Sequence, residues 1–304
     1  MNLASLSAGE NGAPRMVVLG APRCGTTSIS KYLQDAGLSV GVKDSFFLMD
    51  KDAGLRGRTH LESHGTRGYL ELFEAGSSAN VEVSAGYLYQ ETALEFFSEW
   101  QTPPRFVVLA RDPVDRIQSV YRYFMGNLGV IPDDCTFDQY VSSLELGEVA
   151  SSDWTVCDAL DQGNYVKWLS RWTDAFGDDA VSVVSFDNLA AQPAAVVSEL
   201  IAESGGVSDG SLSLYNFEPR NASYVPRSKN VKLVTSVARK LAPNGALRSW
   251  AGERLRRWQA GSTPGTGEAL VPDNDTLQRL YRYYEEPNEQ LNDRFGVDTQ
   301  GWIR

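Results

Sequence analysis

The chain has 304 residues, of which 42% are apolar, and a formal net charge of −11. Such a length fits one large domain or two small ones, with enough apolar material for a packed core, so a globally disordered chain is excluded. The acidic total disfavours non-specific binding to nucleic acid or to anionic membrane, although a local cluster of arginines can still dominate a cleft. Three scattered cysteines (Cys24, Cys135, Cys157) and two histidines are too few for a disulfide framework or a zinc site, so no metal is expected. Residues 1–14 lack a basic n-region and an apolar core, and no apolar run reaches membrane-spanning length. The expectation is a cytoplasmic protein without a membrane span, with a flexible tail over 1–14 and a single domain over 15–304.

Met16 to Leu19 is a short apolar run suited to a buried parallel strand. A turn built from Gly20, Pro22 and Gly25 follows, and Ile29, Tyr32, Leu33 and Ala36 then recur at helical spacing up to Gly37. Leu38–Val42 reads as a second strand, 51–65 as a loop and Thr66–Ala75 as a helix. Asn80–Ser84 reads as a strand and Thr92–Trp100 as a helix that Pro103-Pro104 stops. Phe106-Val107-Val108-Leu109 is a strongly apolar strand. Asp112 and Pro113 suit the N-cap and first position of the next helix, whose core stripe is Val114, Ile117, Tyr121 and Phe124. Helices are expected over Cys135–Gly147, Leu160–Phe176, Pro193–Ser204 and Thr276–Phe295, and a strand over Val181–Phe186. Alternating strands and helices predict an α/β fold, a parallel sheet with helices on both faces.

Strand, glycine-rich turn and helix together form an anion site, because N–H groups at a helix start lack internal partners and the helix dipole favours negative charge there. Gly25 lets the backbone come close, Thr26, Thr27 and Ser28 add hydroxyls, and Arg23 adds a fixed cation. Cys24 sits within the turn as a small residue, or as a thiol activated by the helix terminus. A Walker A loop would need Gly-Lys-Ser/Thr here, whereas Gly25 is followed by Thr26. A second site is Arg111 at a strand end, the edge where open α/β sheets bind ligands, with Ser119 two turns on; pairing of Arg111 with Asp112 or Asp115 is the alternative. A third is the Pro-anchored basic loop Arg227-Ser228-Lys229.

Together these stretches resemble the 3′-phosphoadenosine 5′-phosphosulfate (PAPS)-dependent sulfotransferases, over roughly 16–240. The 20–33 segment is similar to the family's 5′-phosphosulfate loop, Arg111 and Ser119 to its 3′-phosphate motif, and Pro226–Lys229 to its late nucleotide-binding loop. Gly163-Asn164-Tyr165 with Trp172, then Val181 to Leu189, resembles a helix–strand stretch of bacterial and glycan-modifying members. The resemblance implies a P-loop-like α/β fold, PAPS as donor, PAP (the 3′,5′-bisphosphate) as product, no metal, and a hydroxyl-bearing carbohydrate, lipid or small-metabolite acceptor. It also implies Arg23 where the family usually has lysine; arginine stabilises developing charge but does not readily give up a proton.

Lys43-Asp44-Ser45-Phe46-Phe47 resembles the Lys-Glu-x-x-Phe-Phe pattern of heparan-type members, one residue shorter. By that resemblance Asp44 is the general base and Lys43 assists the sulfuryl group, with His60 and His64 as rival bases. Glu82 to Tyr87 is similar to the family's substrate-side Glu-Lys-Ser-Pro-x-Tyr stretch, with Val83 and Ala85 departing from it. Phe46, Phe47, Glu82 and Tyr87 are the expected acceptor-side residues. A P-loop kinase or NTPase, and a nucleotide-binding protein without catalysis, are the alternatives, separated by their dependence on magnesium and by turnover.

Overall fold

In the computed structural model, which describes residues 3–51, 53, 59–75, 77, 80–205 and 271–302, the apolar runs become the strands of one sheet. These are β1 (Met16–Gly20), β2 (Ser39–Val40), β3 (Asn80–Val83), β4 (Arg105–Ala110) and β5 (Val181–Ser185). Every pairing among them is parallel, in the order β2-β3-β1-β4-β5. β1 is central and all its residues are buried, which is why it reads as an unbroken apolar run rather than an alternating one. The chain moves to one side of β1 for β2 and β3 and to the other for β4 and β5. The strand order therefore reverses beside β1, and the crevice beyond the C-terminal ends of β1 and β4 is the topological switch point.

The described helices that flank the sheet are α1 (Thr26–Asp35), α2 (Leu61–Leu70), α3 (Glu91–Ser98), α4 (Pro113–Arg122), α5 (Phe137–Leu146), α6 (Trp154–Cys157), α7 (Tyr165–Phe176), α8 (Phe186–Ala191), α9 (Pro193–Glu203) and α10 (Asn274–Phe295). α4 starts as its sequence dictates: Asp112 Oδ1 accepts the Val114 N–H at 2.8 Å and Pro113 occupies the first turn. α4 passes directly into a π-helical turn, Tyr123–Leu128. Phe97, Phe106 and Trp172 meet as tilted and edge-on rings in the main core; burying each such side chain stabilises by about 1.5–3 kcal/mol. A second apolar cluster joins α4, α5 and α10 through Ile117, Tyr121, Phe137, Tyr140, Leu280 and Tyr284. The Tyr284 hydroxyl donates to the Leu160 carbonyl at 2.6 Å, fixing the closing helix to the segment before α7.

Three expectations change. Residues 3–14 are not a loose tail: Leu6 and Ala13 are fully buried, Ala8 N–H bonds the Thr102 carbonyl, and Asn80 Nδ2 donates to the Gly12 carbonyl at 2.8 Å. Two buried apolar side chains and backbone bonding to the Thr102 turn outweigh the segment's polar composition. The second strand shrinks to two residues, and α2 begins at Leu61 instead of Thr66, bending at Gly65, where φ is +58°. A glycine-bearing, weakly apolar segment carries too little periodicity to show that start.

Candidate active site

The loop from Ala21 to Gly25 carries β1 into α1. At β1's end, a Cβ on Gly20 would lie 2.9 Å from the Ala85 carbonyl, so only glycine lets the ends of β1 and β3 approach so closely. Gly25 is the N-cap of α1 with φ +94°, and a Cβ there would sit 3.2 Å from both Phe186 and Leu189. No side chain caps this helix start. Thr26 and Ser28 are buried in the first turn and Thr27 is half-buried.

Arg23, also left-handed at φ +69°, turns its side chain towards α4. Its Nε donates to Ser119 Oγ at 3.2 Å, and its guanidinium lies 4.3 Å from the centre of the Tyr123 ring, a cation–π contact. Burial lowers the Arg23 pKa, opposed by Tyr123 and reinforced by the neighbouring cations Arg111 and Arg116. Arg23 and Arg111 thus lie in one electrostatic neighbourhood although 88 positions separate them in the numbering, 111 minus 23. The Arg111 guanidinium packs 4.8 Å from the Phe186 ring and is 3.7 Å from Asp115 Oδ2. Phe186 therefore touches both the Arg111 side chain and the space beside Gly25. Tyr165 fixes the backbone at the same place, its hydroxyl donating to the Arg111 carbonyl at 2.9 Å.

Arg116, not singled out in the sequence, is fully buried beneath this loop. It donates to the carbonyls of Pro22 (3.1 Å) and Ala159 (2.9 Å) and to Gln162 Oε1. The legible signal was its spacing: three residues before Ser119 on a helix, it shares that residue's face. Cys24 serves the packing side. Its Sγ is buried 3.4 Å from Tyr165 Oη and its N–H bonds the Ala21 carbonyl; burial raises its pKa, against the lowering pull of Arg116. Its thiol thus faces Tyr165 and its amide the Ala21 carbonyl.

Beside the ends of β1 and β3 lies the 43–48 turn. Asp44 N–H bonds the Val83 carbonyl, Asp44 Oδ1 accepts the Ala85 N–H at 3.1 Å, and Asp44 Oδ2 pairs with Lys43 Nζ. Lys43 and Asp44 are both part-exposed. Phe46 is half-buried, and Phe47, Glu82 and Tyr87 are buried. The cause is β3's position beside the central strand, which turns Glu82 inward, and the aromatic packing of Phe47 on Tyr69. Glu82 is bonded by Tyr69 and Ser84; burial lifts its carboxyl to about 7 despite those bonds. His60 and His64 face each other at the start of α2, ring centres 6.3 Å apart, and His64 packs against Phe47. Arg227, Ser228 and Lys229 lie outside the described residues. Among the described residues, no three His, Cys, Asp or Glu side chains are grouped as metal ligands, and no helix is long and apolar enough to cross a membrane.

A family model for the sulfotransferase domain matches residues 13–208, well over half of the chain. The protein belongs to the sulfotransferase family. It is therefore an enzyme. A sulfotransferase from Alicyclobacillus acidocaldarius superposes with a TM-score of 0.65 at 17% identity, covering 96% of this chain and 99% of that one. A mouse sulfotransferase complexed with PAP gives a TM-score of 0.52 at 13% identity over 96% and 88% of the two chains. At such identities the likeness is one of fold. The bifunctional heparan sulfate N-deacetylase/N-sulfotransferase 1 of Caenorhabditis briggsae is 21% identical over 204 residues, 64% of this chain. The match spans only 23% of that relative's length.

Proposed function

We propose that the enzyme transfers the sulfuryl group of PAPS to a hydroxyl of a carbohydrate, lipid or small-metabolite acceptor, releasing PAP. The observation that supports this best is the Arg23–Ser119 hydrogen bond with Arg111 in the same field. It joins the turn after β1 to the helix after β4 at the switch point, the juxtaposition that one ligand with two separated anionic groups requires. The donor set suits that ligand: guanidinium groups, hydroxyls and a helix start, next to a glycine whose Cβ would crowd Phe186. PAP bound to the structurally similar mouse enzyme points the same way. Arg227, Ser228 and Lys229 complete the nucleotide-binding set by sequence.

PAPS supplies a sulfuryl group on a good leaving phosphate. In this reading Asp44 accepts the acceptor's hydroxyl proton as the new oxygen–sulfur bond forms and the sulfur–phosphate oxygen bond breaks. Lys43 and Arg23 hold the charge that gathers on the sulfuryl and leaving oxygens. Arg23 does this as a fixed cation and keeps its proton. Asp44 has the better claim to the proton than the histidines because the Ala85 N–H fixes its orientation at the edge where β1 and β3 end. His60 and His64 pack at the start of α2 instead.

Incubation with radiolabelled PAPS and a panel of acceptors (a glucosamine-containing oligosaccharide, a long-chain alcohol, a phenol) tests the reaction. Label should move to at least one hydroxyl without ATP or magnesium; strict dependence on ATP and magnesium would refute it. Asp44→Asn should lower turnover at least a hundredfold while the PAP dissociation constant stays within twofold; wild-type turnover would move the base elsewhere.

A further inference from the structure

The 43–48 turn that bears Lys43 and Asp44 has unusual backbone. Asp44 has φ +50° and Phe46 φ +54°, both left-handed and neither glycine. Such conformations persist where the surroundings over-determine them. Here the surroundings are hydrogen bonds from behind. The Tyr87 hydroxyl lies 3.1 Å from Ser45 Oγ and accepts the Leu48 N–H at 3.2 Å, and Ser45 Oγ accepts the Phe47 N–H at 3.3 Å. The buried Tyr87 hydroxyl also reaches Glu82, whose two oxygens take Tyr69 and Ser84. The groups facing Glu82 are Tyr69 from α2, Tyr87 from the turn after β3, Ser84 at the strand's end and Ser45 from the turn itself, with Val17 of β1 as its register neighbour. All four polar groups are hydroxyls: Tyr69, Tyr87 and Ser84 can donate to an ionised carboxylate, which leaves the Ser45 proton for the Tyr87 oxygen.

We propose that Tyr87, oriented by Glu82, is a positioning residue for the acceptor side of the site. Its hydroxyl clamps Ser45 and Leu48 and so sets the direction in which Lys43 and Asp44 are presented. The inference rests on the reading of Asp44 as the base, and it replaces the sequence-based expectation that Glu82 and Tyr87 touch the acceptor. With Glu82 ionised, the Tyr87 proton points to the carboxylate and its oxygen is left to accept from Leu48 and Ser45. With Glu82 protonated, one carboxyl oxygen becomes a donor and a hydroxyl facing it must turn, so the clamp loosens. Burial sets that exchange near neutral pH, since it holds the carboxyl at about 7.

The test uses Tyr87→Phe, Glu82→Gln, Asp44→Asn and the Tyr87→Phe/Asp44→Asn double variant of the full chain, with whichever panel acceptor the wild type sulfates. Tyr87→Phe should lower kcat about tenfold with acceptor KM and PAP dissociation constant within twofold. The double variant should fall no further than Asp44→Asn. Wild-type kcat should climb as pH rises through about 7, and Glu82→Gln, whose side chain has nearly the same shape but never ionises, should lose that limb. A raised KM at constant kcat, additive losses in the double variant, or an unchanged pH profile in Glu82→Gln overturns the proposal. Hydrogen exchange of the Leu48 and Ala85 amides separates the two readings. If Asp44→Asn keeps full turnover, the base assignment alone fails. The clamp then stands if Tyr87→Phe speeds exchange at both amides at least tenfold while α1 is unchanged, and falls if exchange is unaltered.

Discussion

Replacing Gly25 by alanine puts one methyl group where the structure has no free space. The backbone cost comes first: a residue with a Cβ at φ +94° costs about 1–2 kcal/mol relative to glycine. The packing cost comes second. The new Cβ would lie 3.2 Å from Leu189 Cδ2, 3.2 Å from Phe186 Cδ2 and 3.3 Å from Phe186 Cε2. Leu189 is buried and cannot retreat, whereas Phe186 is half-buried and can swing outward, so this cost sits at the low end of overpacking, about 1 kcal/mol. The sum is about 2–3 kcal/mol of folding stability, roughly 3–5 °C in melting temperature for a chain of this size. The ring that moves is the one against which the Arg111 guanidinium packs. PAP affinity should therefore fall as well, by about tenfold, equal to about 1.4 kcal/mol of binding. Urea unfolding and calorimetric titration with PAP measure the two effects separately. A Gly25→Ala protein with wild-type stability and wild-type PAP affinity would refute both the reading of the turn and the role given to Phe186.

Arg111→Ala should weaken PAP binding by about 1.5–3 kcal/mol, the worth of a charge-assisted contact, and should barely affect adenosine 5′-phosphate, which lacks the 3′ group; equal losses for both nucleotides would contradict it. Arg116→Lys should destabilise by about 3 kcal/mol or more in urea unfolding, because one ammonium group cannot reach the Pro22 carbonyl, the Ala159 carbonyl and Gln162 together. Glu82 should make folding pH-dependent. Its folded pKa of about 7 exceeds the ordinary 4.5, so the folded state binds the extra proton between those values and stability falls as pH rises through that window. The stability difference between wild type and Glu82→Gln should therefore shift by about 3 kcal/mol from pH 4 to pH 8, against the wild type at the higher pH; a constant difference would refute the buried, proton-bearing carboxyl.

The residues whose chemistry is written locally were legible before any coordinates. Met16–Leu19 and Phe106–Leu109 had to be buried strands because unbroken apolar runs of that length leave no face for water. Asp112-Pro113 had to start a helix because the side chain caps and the ring fits the first turn. The spacing of Gly25, Arg111 and Ser119 pointed to two anion sites. Tertiary structure decided what depends on partners far along the chain. Arg23 and Ser119 meet because β1 and β4 are neighbours, which no local pattern encodes. Glu82 and Tyr87 are interior because β3 lies beside the central strand, although their motif resembled a substrate-facing stretch. Residues 3–14 are ordered by the Thr102 turn and Asn80, partners that lie nearly seventy or more positions away. Backbone propensity and hydrophobic period act over a few residues and so can be read along the chain. The direction of a side chain, and hence whether a carboxylate serves the solvent edge or the core, is fixed only when distant strands choose their neighbours.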